Sequence, residues 1–208
     1  MKKEFWLEKW TSGLTPWNQQ EVNEALRKWW PKIQIEQERE VFVPCCGKSI
    51  DLLYFTQMKL SVFGVDLAEQ PLVEFRDEQR QNKYLNLRCE DFFKLTVTDR
   101  PFFPGRPIFV YDRASLIAFP PEMRRKYYDQ MISLYPPSST ILLLTIEYDG
   151  FIEAGPPFSV PESEIRSSLE SHFAIEKWEE EISANTNQRQ FALGLKETKK
   201  VVYKLERK

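Results

Sequence analysis

The stretch VFVPCCGKSIDLLYF, residues 41–55, sets three β-formers, a proline, a short turn and an apolar-periodic segment end to end. Val41, Phe42 and Val43 predict a strand that Pro44 ends, because proline has no N–H to give to a ladder. From Ser49 to Met58 the residues Ile50, Leu53, Tyr54 and Met58 recur at helical spacing. The Gly-Lys-Ser inside the stretch raises the question of a triphosphate-binding loop. Such a loop needs a second glycine five positions upstream, so that backbone N–H groups can wrap phosphate oxygens. Phe42 stands there, and Cys45-Cys46-Gly47 is too short a turn to cradle a triphosphate. The triphosphate reading is rejected, and what remains is a strand, a glycine turn and a helix.

Ser61 to Asp66 reads as the next strand, completing one βαβ unit. Pro71 opens a predicted helix through Asn82, Tyr84 to Cys89 alternates as a strand, and Ile108 to Asp112 is a strand behind the turn Pro104-Gly105. Pro121 opens a helix through Leu134, Thr140 to Tyr148 is β-rich, and Pro161 to His172 is a short helix. The tail alternates through Phe191-Leu193-Leu195 and Val201-Tyr203-Leu205, as closing antiparallel strands would. In the N-terminal stretch, Asn18 and Glu21 are read as capping a helix from Gln19 to Trp30 that stops before Pro31. Strands alternating with helices imply an α/β fold, with a mainly parallel sheet covered on both faces, antiparallel C-terminal strands and an N-terminal helical cover. One domain spanning 1–208, with residues 1–35 as the cover, is the expected organisation for this length.

Composition narrows the function classes. Three cysteines, two of them adjacent, form neither a disulfide framework nor a spaced zinc site, which fits a reducing compartment. Met1-Lys2-Lys3-Glu4 lacks an apolar signal core and the apolar run Ile141 to Leu144 is too short to span a bilayer, so a cytoplasmic protein without a membrane partner is expected. A net charge of -2 gives no global attraction for nucleic acid. The single histidine, His172, excludes a histidine triad or a multi-histidine metal site, and no metal is expected. A monomer acting on a small molecule is the expectation.

Ligands of open α/β folds sit at the carboxyl ends of the strands. Gly47 lets the backbone approach a ligand at the first turn, and Asp66 ends the second strand, where a carboxylate can accept from ribose hydroxyls; a tight-turn glycine and a helix cap are the alternatives. Asp91 and Phe92 follow the third strand and read equally as an adenine site or as a cap beside a core aromatic. Asp112-Arg113 follows the fourth strand as a charged pair. Ser49 reads as a helix cap, and Cys45 and Cys46 as small packing residues near a helix start. Five of the six tryptophans, Trp6, Trp10, Trp17, Trp29 and Trp30, fall within the first thirty residues. Trp6 and Trp10 are one helical turn apart and Trp17 follows a Thr-Pro turn, an arrangement suited to caging a cation such as a sulfonium or to covering a core.

Taken together, "FWLEKWTSGLTPWNQ", "VPCCGKSIDL", "FGVDLAEQPL", "EDFF", "YDRASLIAFPPEMRRKYYDQM" and "AGPPFSVPESEI" occur in an order that resembles the thiopurine S-methyltransferase family, which includes thiol and halide methyltransferases. The resemblance implies a Rossmann-like class I methyltransferase fold, S-adenosyl-L-methionine as cofactor and S-adenosyl-L-homocysteine as product. It implies that Trp6, Trp10, Cys45, Gly47, Asp66, Asp91, Phe92 and Arg113 line the cofactor site and that Trp17 faces the acceptor. With Arg113 placed to orient an anionic acceptor and Asp112 to orient Arg113, these two are the expected catalytic pair. The sequence departs from the family's thiopurine branch at Cys45, usually Leu, at Asp66, usually Glu, and at Trp17-Asn18-Gln19, usually aromatic-His-Gln. "YDRASLIAFPP" favours that branch, whereas Thr15-Pro16-Trp17 and Asp66 look like the thiol and halide branch, so the acceptor stays open.

Overall fold

The computed structural model describes residues 3–33, 40–99, 101–102, 106–149, 155–185 and 187–208. The turn Pro104-Gly105 lies outside them. The chain divides into two compact units, Met1–Tyr111 and Asp112–Lys208.

The first unit contains α1 (Lys3–Thr11), α2 (Glu24–Trp29), β1 (Val41–Pro44), α3 (Asp51–Gln57), β2 (Val62–Asp66), α4 (Glu69–Glu78), β3 (Leu85–Cys89) and the start of β4 (Phe109–Arg113). β1 pairs in parallel with β2 and β4, and β2 in parallel with β3, so the carboxyl ends of these strands share one edge. β1 is buried along its whole length, and Phe42 on it meets Phe63, Phe92 and Phe102 at ring distances of 5.9, 6.4 and 4.8 Å. Such an aromatic cluster adds directional ring contacts to the burial of large apolar surfaces. Pro44 keeps its place opposite Val65 as the last residue of the strand. There its missing N–H falls beyond the last rung that needs one.

Several helices start or stop elsewhere than the sequence predicts: α3 is shorter than Ser49 to Met58 and α6 (Glu162–Leu169) ends before His172, while α2 and α4 move for reasons the structure shows. α2 begins at Glu24 rather than Gln19, because Asn23 is the cap: its side chain accepts from the N–H groups of Ala25 and Leu26 at 3.0 and 3.4 Å. Asn18 instead donates its backbone N–H to Thr15 across a turn, at 2.9 Å. α4 begins at Glu69, two residues before Pro71, which is tolerated in a first turn whose N–H groups have no intrahelical partner. It ends at Glu78 rather than Asn82, whose N–H closes a turn onto Gln79 at 2.8 Å.

The second unit contains the end of β4, α5 (Pro121–Leu134), β5 (Thr140–Glu147), α6 (Glu162–Leu169), β6 (Phe173–Ala184), α7 (Gln188–Ala192) and β7 (Glu197–Arg207). β7 runs antiparallel to both β5 and β6, which completes a seven-stranded mixed sheet of order β3-β2-β1-β4-β5-β7-β6. The expected closing strand at Phe191-Leu193-Leu195 is corrected: α7 and a turn occupy that segment, and the partner of β7 is β6. The sequence hides β6 because it is an edge strand carrying Glu176, Lys177, Glu179, Glu180 and Glu181, and charge is how edges are kept from pairing with other chains. Inside this unit Arg124, 3% exposed, forms two hydrogen bonds of 2.6 Å to the Glu164 carboxylate and donates to the carbonyls of Ser159 and Phe119. Tyr128 donates to the same carboxylate at 3.0 Å. A buried guanidinium is tolerable only when satisfied in this way.

Asp112 opens the unit with no exposed surface. Its carboxylate accepts from the Tyr127 hydroxyl at 2.7 Å and from the Leu116 N–H at 3.3 Å, and Ser115 also bonds it. Burial nevertheless dominates and pushes its pKa up to about 6, with those bonds opposing. The folded chain therefore holds this proton more tightly than the unfolded chain, whose aspartate titrates near its ordinary value. The resulting stabilisation is complete below pH ~4 and is lost as pH rises through about 6. Asp112→Asn should remove the effect, so that wild type loses about 2 kcal/mol relative to the variant between pH 4 and 7. Urea denaturation across that range checks this, and parallel pH profiles would contradict it.

Candidate active site

The turn between β1 and α3 is held in a conformation that most residues avoid. Cys45 and Gly47 both have positive φ, of +46° and +51°. Glycine adopts that region freely, whereas a residue with a Cβ is strained there, and strain of this kind collects at functional sites. A Cβ on Gly47 would also stand 2.6 Å from the Trp10 indole. Glycine is thus required twice at this position, by the backbone angle and by the ring of α1 lying against it.

Asp66, at the end of β2, fixes the turn from the other side. Its Oδ2 accepts the Gly47 N–H at 2.8 Å and its Oδ1 accepts the Ala68 N–H at 2.8 Å, so one carboxylate ties the first turn to the approach of α4. The Cys46 N–H also donates to the Val65 carbonyl, at 2.9 Å. Burial raises the Asp66 pKa, and the N–H groups of Ala68, Gly47 and Leu67 oppose the rise. A carboxylate oxygen can take more than one donor, so Asp66 retains capacity to accept from a ligand hydroxyl.

The Gly-Lys-Ser residues are otherwise employed. Lys48 reaches Glu74 on α4 at 2.5 Å and holds that carboxyl below its usual range. Ser49 Oγ accepts the Asp51 N–H at 3.3 Å across a turn, but the cap of α3 is Ile50 and not the expected Ser49. Cys46 is buried, and burial followed by the nearby Asp66 charge pushes its thiol well above the usual range. A thiol kept protonated in this way packs rather than attacks.

Above the turn, Trp17 meets Trp6 and Trp10 edge to face, with ring centroids 5.4 and 5.9 Å apart, and Phe5 meets Trp6 at 5.1 Å. The structure therefore brings Trp6, Trp10 and Trp17 into one cluster, with Trp10 set on the Gly47 turn that Asp66 holds. Trp30 belongs elsewhere, packed between Phe55 and Phe109 at 5.0 Å from each. Lys28 and Lys32 lie over the Trp29 ring.

Asp91 and Phe92 lie past the end of β3, with Asp91 Oδ1 accepting the Phe93 N–H at 3.0 Å. Phe92 is 3% exposed and stacks on Phe42. Cap and core aromatic is thus the geometry of this pair. In the second unit, Arg113 ends β4 half-buried and is followed by Ala114 at a φ of +65°. The hydrogen bonds of Asp112 to Tyr127 and Leu116 shape that turn.

One residue was not singled out from the sequence. Asp51 has no exposed surface, yet its Oδ1 accepts the Asn23 N–H at 2.8 Å and its Oδ2 accepts the Tyr111 hydroxyl at 3.1 Å. An acidic residue in the first turn of a helix is so ordinary that the sequence carries little signal for it. Among the described residues there is no cluster of histidine, cysteine or acidic side chains able to hold a metal ion. No described helix is long and apolar enough to cross a membrane.

Known folds and sequences place this arrangement. The seven-stranded sheet is similar to an S-adenosylmethionine-dependent methyltransferase from Anabaena variabilis, with a TM-score of 0.70 and 12% identity over 99% of this chain and 95% of that one. It is also similar to magnesium protoporphyrin IX methyltransferase from Synechocystis, crystallised with S-adenosylhomocysteine, with a TM-score of 0.65 and 14% identity over 99% of each chain. At those identities the likeness shows the fold. In sequence, the chain is 36% identical to thiopurine S-methyltransferase of Nitrosospira multiformis over 80% of each chain. It is 33% identical to that of Azotobacter vinelandii over the full length of both. The model of the family described as thiopurine S-methyltransferase matches residues 1–208, and the chain belongs to that family.

Proposed function

We propose that this enzyme transfers a methyl group to the sulfur of an aromatic or heterocyclic thiol, with the cofactor held at the Gly47 turn and the acceptor beside Trp17. The chain is an S-adenosylmethionine-dependent methyltransferase by family and fold. The observation that carries the residue assignment is the Asp66 to Gly47 hydrogen bond beneath Trp10. It leaves a backbone without a side chain, a carboxylate with accepting capacity and an indole ring at one place, which fits an adenosyl group with its ribose hydroxyls and its sulfonium.

In this reading Asp66 accepts from the ribose hydroxyls, Cys45 and Gly47 let the backbone approach the ligand, and Trp6 and Trp10 cover it. Asp91 and Phe92 border the adenine, with Asp91 contributing a carboxylate and Phe92 the apolar wall it already forms with Phe42. When bound, S-adenosylmethionine supplies a methyl group on a sulfonium whose departure leaves a neutral thioether, so the leaving group needs no acid. An aryl thiol ionises near neutral pH, so the acceptor needs no dedicated base. What the protein contributes is orientation of the two reactants in line and exclusion of water. Arg113 orients the anionic acceptor, and the buried Asp112 acts as a positioning residue that shapes the turn after β4. Trp17 supplies a ring face to the acceptor, since its edge contacts with Trp6 and Trp10 set its plane.

Asp66→Ala should weaken S-adenosylhomocysteine binding by about 1–3 kcal/mol through lost charged hydrogen bonds. Calorimetry on the folded variant measures it, and unchanged affinity would return Asp66 to a purely structural role. The acceptor is tested with a panel of aryl thiols, thiopurines, hydrosulfide, halides and oxyanions and radiolabelled cofactor, with aryl or heterocyclic thiols expected to give the highest kcat/KM. Halide or hydrosulfide ranking first would overturn the thiol assignment. Trp17→Ala should lose roughly 0.5–1.5 kcal/mol of ring contact with an aryl thiol, beyond lost burial, and much less with hydrosulfide. An equal loss for both acceptors would instead make Trp17 part of the cover.

A further inference from the structure

Asp51 occupies a junction that the proposed roles leave unexplained. It is the first residue of α3, four positions after Gly47, and it has no exposed surface. One of its oxygens receives the backbone N–H of Asn23, the cap of α2, and the other receives the hydroxyl of Tyr111 on β4. Three segments of the first unit therefore meet on one carboxylate: the N-terminal cover, the start of the helix behind the glycine turn, and the strand that ends at Arg113. Asn23 in turn donates to the Gln19 side chain at 3.3 Å, only two residues past Trp17. A buried carboxylate is costly to desolvate and persists where its hydrogen bonds are made. Here those bonds hold together segments 28 and 60 residues apart in sequence.

We infer that Asp51 is a positioning residue for the cofactor turn, clamping the N-terminal cover and β4 to the head of α3 so that the Gly47 backbone and the tryptophan cluster keep their mutual geometry. The inference rests on the reading of Gly47 and Asp66 as the cofactor site. Its chemistry makes a distinction between two substitutions. Asp51→Ala leaves the Asn23 N–H and the Tyr111 hydroxyl without this acceptor. Asp51→Asn can satisfy both, its amide oxygen accepting from Asn23 and its amide nitrogen donating to the Tyr111 hydroxyl, which can accept as well as donate.

The test measures the Kd of S-adenosylhomocysteine and the kcat and KM of the full chain for wild type, Asp51→Ala, Asp51→Asn and Tyr111→Phe, well below the lowest melting temperature among them. Tyr111→Phe removes the hydroxyl bond to Asp51 without opening a cavity, and serves should Asp51→Ala not fold. Asp51→Ala should raise the Kd and the cofactor KM about ten- to hundredfold, as expected when a positioning contact is lost. Tyr111→Phe should raise both by a smaller factor, and Asp51→Asn should recover affinity to within about threefold of wild type, taken as two satisfied hydrogen bonds. Lowered melting temperatures with wild-type Kd and KM in every folded variant would overturn the inference, because that is the signature of a structural residue alone. An Asn variant as weak as the loss variants would overturn it too. Asp66→Ala serves as the control: weakened binding there, with Asp51 and Tyr111 variants unaffected, contradicts the role of Asp51, whereas unchanged binding there contradicts the cofactor-site reading itself.

Discussion

The hydrogen bond from the Gly47 N–H to the Asp66 carboxylate is the constraint around which the first unit is arranged. It joins the ends of two neighbouring parallel strands, and it does so through a residue that must be glycine both for its φ and for the ring of Trp10 against it. The turn it closes is too short for a triphosphate and has its lysine paired with Glu74. Burial acts against the ionised Asp66, and backbone N–H groups from both sides of the turn act for it. The carboxylate is thus a group whose accepting capacity is oriented before any ligand arrives, which is the condition for recognising hydroxyls at little further cost in ordering.

Much of this was legible in the chain. The strand Val41–Pro44, the glycine turn and Asp66 at the end of β2 follow from β-formers, a proline and apolar periodicity, because parallel strands buried on both faces leave strong local signals. α5 runs over the predicted residues, Pro121–Leu134, because Pro121 fixes its start. β6 was not legible: as an edge strand it carries glutamates on exposed positions, so its alternation is buried in charge, and the apolar residues Phe191 and Leu193 that drew the strand assignment are 57% and 46% exposed. The cap of α2 was misplaced because Asn18 and Asn23 are chemically alike. Only the tertiary partner of Asn23, the Asp51 carboxylate, distinguishes them.

The candidate site divides in the same way. Gly47, Asp66 and the tryptophans could be singled out because their residue types are unusual at those places, and the structure gathers them. Asp112 could be singled out as a charge at the end of an apolar strand. Its burial and its bond to Tyr127, fifteen residues away, could not be read locally. Asp51 is the opposite case, unremarked in sequence and central in the structure. Asn23 and Tyr111, which bond its carboxylate, lie in distant segments, and no pattern along the chain connects them to it.

The central claim, that this glycine turn serves an adenosyl cofactor and not a triphosphate, is tested most directly by thermal denaturation of the whole chain with each ligand. S-adenosylhomocysteine at about a hundred times its dissociation constant should stabilise the protein by about 2.7 kcal/mol, seen as a raised Tm, while ATP with magnesium should leave Tm unchanged. A shift with ATP and none with S-adenosylhomocysteine would contradict the account.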